Sequence, residues 1–222
     1  FITKGQPHFK NVNWGQGWNA SQMGFWVWKY YNTHTDASTA NGVCTTDAPL
    51  FRLGEILLNY AEAMYELGLF DQSIADKTIN KLRKRAHVAD MVLTDITTDF
   101  DPERDQDVNP LLWEIRRERR MELFYEHCRL HDIKRWKKLE YMDNNKYPDT
   151  MIGPWVDMVK EVPAYLDEQY IGKRQVKKED GTVITFDGSN ASEMVGYYMP
   201  TNVQPRNTFS DRSYCSPVGE QE

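Results

Sequence analysis

His127 and His131 stand four residues apart, a spacing that puts two imidazoles on one helical face where they could grip zinc, with Glu126 and Asp132 beside them. The zincin pattern, however, requires a glutamate directly after the first histidine, and Cys128 occupies that place. Ordinary surface or helix-joint histidines satisfy the same spacing without a metal. Glu118 and Glu122 form a second set, a carboxylate pair of the kind that performs acid–base work on glycosides. That chemistry needs one carboxyl kept protonated, and the arginines around this pair favour the ionised form of both. The carboxylates Asp95, Asp99, Asp101, Glu103, Asp105 and Asp107 could approach calcium. An EF-hand reading fails because Arg104 stands where its glycine must be and Pro110 where its closing glutamate must be.

No phosphate-cradling glycine loop, no G-x-S-x-G elbow and no dinucleotide fingerprint occurs. The expectation is therefore a protein that is not an enzyme, with no catalytic residue, no metal site and no cofactor. A binding chemistry is better represented. Trp14 and Trp18 stand among Asn13, Gln16 and Asn19, so aromatic faces alternate with side-chain amides. Rings present apolar area and amides present directional hydrogen bonds, which is the inventory a polar ligand needs. The same tryptophans could equally pack their loop onto helices.

The elements that must position these groups begin with Asn109–Met142, read as two helices meeting near Cys128. Asn109 is the N-cap and Pro110 suits the first helical position, where its missing N–H costs nothing. From Leu111, Leu112 and Ile115 the apolar stripe runs into Glu118, Arg119 and Glu122 before resuming at Leu123 and Phe124. Charges thus occupy core-facing spacing. One reading is a solvated face with Arg–Glu pairs one turn apart. The other buries carboxylates against Arg116, Arg119, Arg129 or Arg135, making Glu118, Arg119, Glu122, Arg129, Asp132 and Arg135 structural ion-pair candidates.

Upstream, Leu53, Ile56, Leu57, Tyr60, Ala61, Met64 and Leu67 define an amphipathic helix, started by Asp47 and Pro49 and stopped by Gly68. A second helix follows, capped by Asp71, with Ile74, Thr78, Ile79, Leu82 and Ala86 on one face. The short turn between them demands antiparallel packing. Ala61, Ala63, Gly68, Phe70 and Ser73 give a degenerate tetratricopeptide-like pattern, but one such pair cannot close a core and must lean on the helices at 110–142. Residues 90–109 read as an acidic connector.

Residues 1–48 read as an aromatic-rich loop region, with an extended run over Phe25–Tyr30, and are the first candidate for a ligand surface. Beyond Met142 the helical period disappears. Asp180-Gly181 between Gln175–Lys178 and Thr182–Phe186 is a hairpin signal. Tyr197–Pro200 and Tyr214–Val218 read as extended strips laid over the helices.

A chain of 222 residues can bury about 70% of its unfolded surface, enough for one large core. The net charge of −6 and the absence of a basic stripe exclude a nucleic-acid surface. No apolar run reaches the roughly 18 residues of a membrane span, and Phe1–Gly5 is not a signal peptide. Cys44, Cys128 and Cys215 are too few and too dispersed for a disulfide framework or a zinc ribbon and read as free thiols.

Three stretches in order resemble the SusD/RagB family, the surface nutrient-binding lipoproteins of Bacteroidetes. They are Pro49–Gly68 followed by Ile79–Ala86; Ile115–Leu123 followed by Glu126–Trp136; and Tyr214–Glu222, which is similar to the start of the family's closing strip. Where the family usually places glycine after the glutamate, this chain has His127.

The resemblance implies a mostly α SusD-like fold in which tetratricopeptide-like helix pairs scaffold long irregular loops and a small hairpin. It implies that residues 1–222 are the C-terminal part of one such domain: an aromatic loop region to 48, a helical scaffold over 49–142 and an irregular C-terminal region over 143–222. It further implies an outer-membrane, surface-exposed lipoprotein whose only membrane attachment is a lipid anchor on a preceding segment. The implied partner is a SusC-like TonB-dependent transporter, and the implied ligand an oligosaccharide or peptide held without catalysis. The alternative is a tetratricopeptide-like scaffold that grips a protein or peptide.

Overall fold

The computed structural model describes Lys29, residues 49–200 and residues 209–215. The chain divides into two compact units after Asp132. The unit ending at Asp132 is helical. It contains α1 (Leu53–Glu66), α2 (Gln72–Lys77), α3 (Ile79–Arg85) and α4 (Pro110–Glu122), and α5 (Arg129–Arg135) begins within it. Helix α1 packs against α4 and also touches α2 and α3. Leu58, Ala61, Ala75, Ile79, Leu82, Met91, Ile115 and Leu123 form its core.

Helix ends follow the local chemistry. The Asp71 carboxylate accepts from Ile74 N–H at 2.8 Å, and the Asn109 side chain accepts from Leu111 N–H at 3.0 Å with Pro110 opening α4. At the end of α1, Gly68 lies at φ +70 and a Schellman pair forms, Gly68 N–H to Tyr65 O and Leu69 N–H to Met64 O. The start of α1 differs from expectation. Asp47 lies outside the described residues, Pro49 precedes the helix by several positions, and Arg52 is an N-cap without a side-chain cap bond.

The buried face of α1 also differs. Gly54, Leu58, Ala61 and Glu62 are buried, whereas Leu53, Ile56, Tyr60 and Leu67 of the expected stripe face outward, Leu53 being 70% exposed. The face is rotated by about one residue, or roughly 100°. The reason is close approach. A Cβ on Gly54 would sit 2.6 Å from Glu122 Oε1, so glycine there leaves room for the Glu122 side chain that α4 lays against α1.

The expected second helix is two helices. Thr78 adopts φ −119, ψ −90 at the break, and its buried hydroxyl donates to Ile74 O at 2.6 Å, a local bond that competes with the helical ladder. Ile74, Thr78, Ile79 and Leu82 are buried as their spacing predicts, but Ala86 is exposed. The connector after α3 is anchored rather than loose. The buried Asn80 amide bonds both Met91 N–H (2.6 Å) and Met91 O (3.1 Å), and Arg104 donates to Val108 O at 2.9 Å.

Helices α4 and α5 are joined by a turn in which Tyr125 and His127 adopt φ +64 and +62. A β-carbon is strained there, which is why a glycine suits the position of His127. His127→Gly is expected to stabilise the protein by about 0.5 kcal/mol, relief of the left-handed strain outweighing the added freedom of the unfolded chain. A raised midpoint of chemical denaturation would register it; an unchanged or lowered midpoint would contradict it.

The second unit, from Ile133 onward, carries a four-stranded antiparallel sheet of β1 (Trp155–Asp157), β2 (Gln175–Lys177), β3 (Val183–Thr185) and β4 (Val195–Met199) in the order β1-β4-β2-β3. The hairpin at Asp180-Gly181 forms as its sequence predicts, β2 pairing with β3. The expectation for Tyr197–Pro200 is corrected. Most of it is β4, an inner strand between β1 and β2, not a strip over helices. Its partners are three-residue strands remote in the chain, too short to show a periodicity. Tyr214 likewise closes a short 3-10 turn, Asp211–Tyr214, and its hydroxyl accepts from Leu139 N–H at 3.1 Å. Val156, Met158, Val162, Tyr165, Val176, Phe186, Met194 and Tyr198 fill the core under the sheet.

Candidate functional site

Of the charged residues singled out on α4, Glu118 and Glu122 face a cleft of about 630 Å³ in the helical unit. Among its walls are Lys29, Arg52, Arg83, Arg85, Glu118 and Glu122, with Met121 and Phe124 as apolar lining. Helix α4 supplies a ridge of carboxylates at Glu114, Glu118 and Glu122, one turn apart. Glu114 is 1% exposed; it accepts from Arg117 at 2.8 Å and from Arg83 Nη2 at 3.4 Å. Arg83 Nε also donates to Glu118 at 2.9 Å. Glu122 pairs with Arg52 at 2.9 Å and with Arg85.

Beyond the helix end, Arg52 Nε donates to Glu126 Oε2 at 3.0 Å, and the Lys29 ammonium pairs with the same carboxylate while donating to the carbonyls of Glu122 (2.7 Å) and Phe124 (2.9 Å). Those carbonyls lie at the end of α4, where the helix dipole favours a cation. Arg119 lies deepest among the arginines of α4, with Nε 2.8 Å from Asp132 Oδ2 and Nη1 2.7 Å from Asn59 Oδ1. Arg135 lies 4.9 Å from the Trp136 ring centroid, and Arg129 is half-buried on α5.

Of the residues named from sequence, Arg119 and Asp132 are thus brought together, while Glu118 and Glu122 take partners from α3 and Arg52. Glu114, Glu126, Arg83, Arg52 and Lys29 were not singled out as ion-pair residues. The spacing of Glu114 from Glu118 was a usable signal; the cations sit on other segments, and no local pattern announces them.

Burial pushes the Glu126 carboxyl up, but hydrogen bonds from Arg52 and Lys29 outweigh burial and hold it below the usual value of 4.5. Reciprocally, the Glu126 hydrogen bond raises the proton affinity of Arg52. This is the opposite of what a general acid at neutral pH requires. Because the folded value is depressed, the stabilisation is present above pH 4.5 and is lost as pH falls through the lowered folded value. Between pH 6 and 3 the protein is therefore expected to lose more stability than Glu126→Gln does. Equal losses in chemical denaturation at the two pH values would refute a stabilising role for this carboxylate.

His127 and His131 are both exposed, and among the described residues no group of three His, Cys, Asp or Glu side chains is placed to hold a metal ion. Cys128 and Cys215 are free, and burial pushes the Cys128 thiol up, away from reactivity. Trp14, Trp18, Asn13, Gln16 and Asn19 lie outside the described residues. Among the described residues no helix is long and apolar enough to cross a membrane.

A model of the SusD family matches residues 10–216, nearly the whole chain. The protein belongs to the SusD family, a family of surface-associated nutrient- and glycan-binding proteins that pair with SusC-like, TonB-dependent transporters; it is a binding family rather than an enzymatic one. No curated protein and no solved structure matches the chain. The helix-dominated architecture with its small antiparallel sheet is consistent with the mostly α SusD-like fold.

Proposed function

We propose that this chain is the C-terminal part of a single SusD-type domain, a surface lipoprotein of the outer membrane that captures an oligosaccharide and delivers it to a SusC-like TonB-dependent transporter without catalysis. The observation that carries this reading is the family match over residues 10–216. The ion-paired carboxylates support it too, because a buried carboxylate matched by guanidinium groups serves structure and not proton transfer. Trp14 and Trp18 would stack on sugar faces while Asn13, Gln16 and Asn19 bond hydroxyls.

Tryptophan fluorescence should change as neutral oligosaccharides are added. In Trp14→Ala or Trp18→Ala the affinity should fall about tenfold or more, as at a binding hot spot. Release of products from a labelled oligosaccharide would overturn the non-enzymatic reading.

A second reading, a helical scaffold that docks a protein or peptide, is favoured by the outward row Leu53, Ile56, Tyr60 and Leu67 on α1. Purification from membranes separates the two. An acylated protein accompanied by a large barrel supports the transporter partnership, and a soluble species without a barrel supports the free scaffold.

A further inference from the structure

The solvent face of the sheet carries a row of side chains drawn from three adjacent strands. Trp155 on β1 pairs with Tyr197 on β4, and Tyr197 with Lys177 on β2. Neighbouring strands lie about 4.8 Å apart, so the row spans about 10 Å. Trp155 is 42% and Tyr197 37% exposed, and their rings meet edge to face, with centroids 5.1 Å apart and planes at 89°. Two perpendicular rings make a corner with apolar walls. At its end the Lys177 ammonium lies 3.5 Å from the carboxylate of Asp149, whose side chain is 78% exposed. A donor and an acceptor thus stand side by side at the rim of an aromatic corner.

We propose that this face is a second sugar-stacking subsite, taking a neutral oligosaccharide. Trp155 and Tyr197 would contact the C–H face of a pyranose ring, and the Lys177–Asp149 pair would bond its vicinal hydroxyls. The inference rests on the glycan-binding reading above but concerns a different place in the molecule. Its chemistry decides between occupants. Two part-exposed rings offer on the order of 200 Å² of apolar surface, far short of the roughly 1,200 Å² of a stable protein interface. Stacked nucleobases would need a basic groove for their phosphates. Here the one lysine is neutralised by Asp149 and the chain carries a net charge of −6. The same carboxylate disfavours an acidic sugar. Tyr and Trp with few rotatable bonds lose little entropy on engagement, so a preset corner suits a weakly held, uncharged chain.

The test uses the full chain labelled with 5-fluorotryptophan and four probes: cellohexaose, xylohexaose, mannohexaose and maltohexaose. The fluorine resonance missing from Trp155→Phe identifies Trp155 in the spectrum. With at least one hexasaccharide that resonance should shift on saturation, and calorimetry should show a roughly tenfold weaker Kd for the sheet-face event in Tyr197→Ala. Lys177→Met, which keeps the aliphatic stem, should weaken it severalfold. Both side chains are partly exposed, and an unchanged Tm checks that the variants are folded. A hexasaccharide that binds the protein and shifts other tryptophans, but leaves the Trp155 line unmoved and binds Tyr197→Ala normally, overturns the subsite and leaves the proposed function standing. Failure of the unaltered protein to bind any of the four overturns both.

Discussion

Replacing Arg119 by methionine is expected to destabilise the protein by about 3–5 kcal/mol, the largest effect of any single change in the charged network. The guanidinium is 6% exposed and bonds Asp132 at 2.8 Å and Asn59 at 2.7 Å. Methionine fills much of the same volume, so the loss is electrostatic and not a cavity. It removes the guanidinium 2.8 Å from the Asp132 carboxylate, which is 3% exposed, and one donor to the Asn59 oxygen. With a urea m-value of about 2 kcal/mol/M, the denaturation midpoint should fall by roughly 2 M. The pair itself is a different quantity. Removing both charges in Arg119→Met with Asp132→Leu should recover most of the loss, because desolvating two ions offsets much of their attraction. A single-variant loss below about 1 kcal/mol would mean that the pair behaves as a solvated surface bridge.

Gly196→Ala is expected to cost about 1–3 kcal/mol and to disturb the sheet directly. Gly196 lies in β4, the inner strand, and a Cβ there would stand 2.6 Å from the carbonyl oxygen of Lys177 and 3.3 Å from Val176 Cβ. The obstacle is backbone, which cannot swing aside as a side chain can. The expected signature is a lower Tm together with weaker near-ultraviolet dichroism from the Trp155–Tyr197 pair, since β4 sets the height of Tyr197 against β1. A variant with unchanged Tm and dichroism would show that β4 can move away from β2 at little cost. Because the sugar-stacking row is built on this strand, the same substitution should also weaken any ligand held on that face.

The caps at Asp71 and Asn109, the stop at Gly68 and the hairpin at Asp180-Gly181 were legible because each is satisfied by atoms within about ten residues along the chain. The family was legible because two of the three resembling stretches are continuous runs of sequence on α1, α3, α4 and α5. The buried face of α1 was not. Ala61 of the expected stripe is buried, but Leu53, Ile56 and Tyr60 fit a helical period as well as Gly54, Leu58 and Glu62 do, and hydrophobicity favoured the exposed set. Packing against α4, whose Glu122 side chain lies over Gly54, made the choice. The ion pairs follow the same logic. Two readings of the α4 charges stood open because the cations that settle them arrive from 35 residues away in Arg83 and 70 residues away in Arg52.

What the amino-acid sequence determined by itself was therefore local and familial: where helices begin and end, where the hairpin turns, and the kind of binding protein this is. The tertiary structure alone decided which side of α1 is buried, that Thr78 divides one expected helix into two, and that β4 runs between β1 and β2. The difference is physical. A cap or a turn is paid for within one or two turns of chain, whereas a packing face, an ion pair or a strand partner is selected by competition among segments that meet only once the chain has folded.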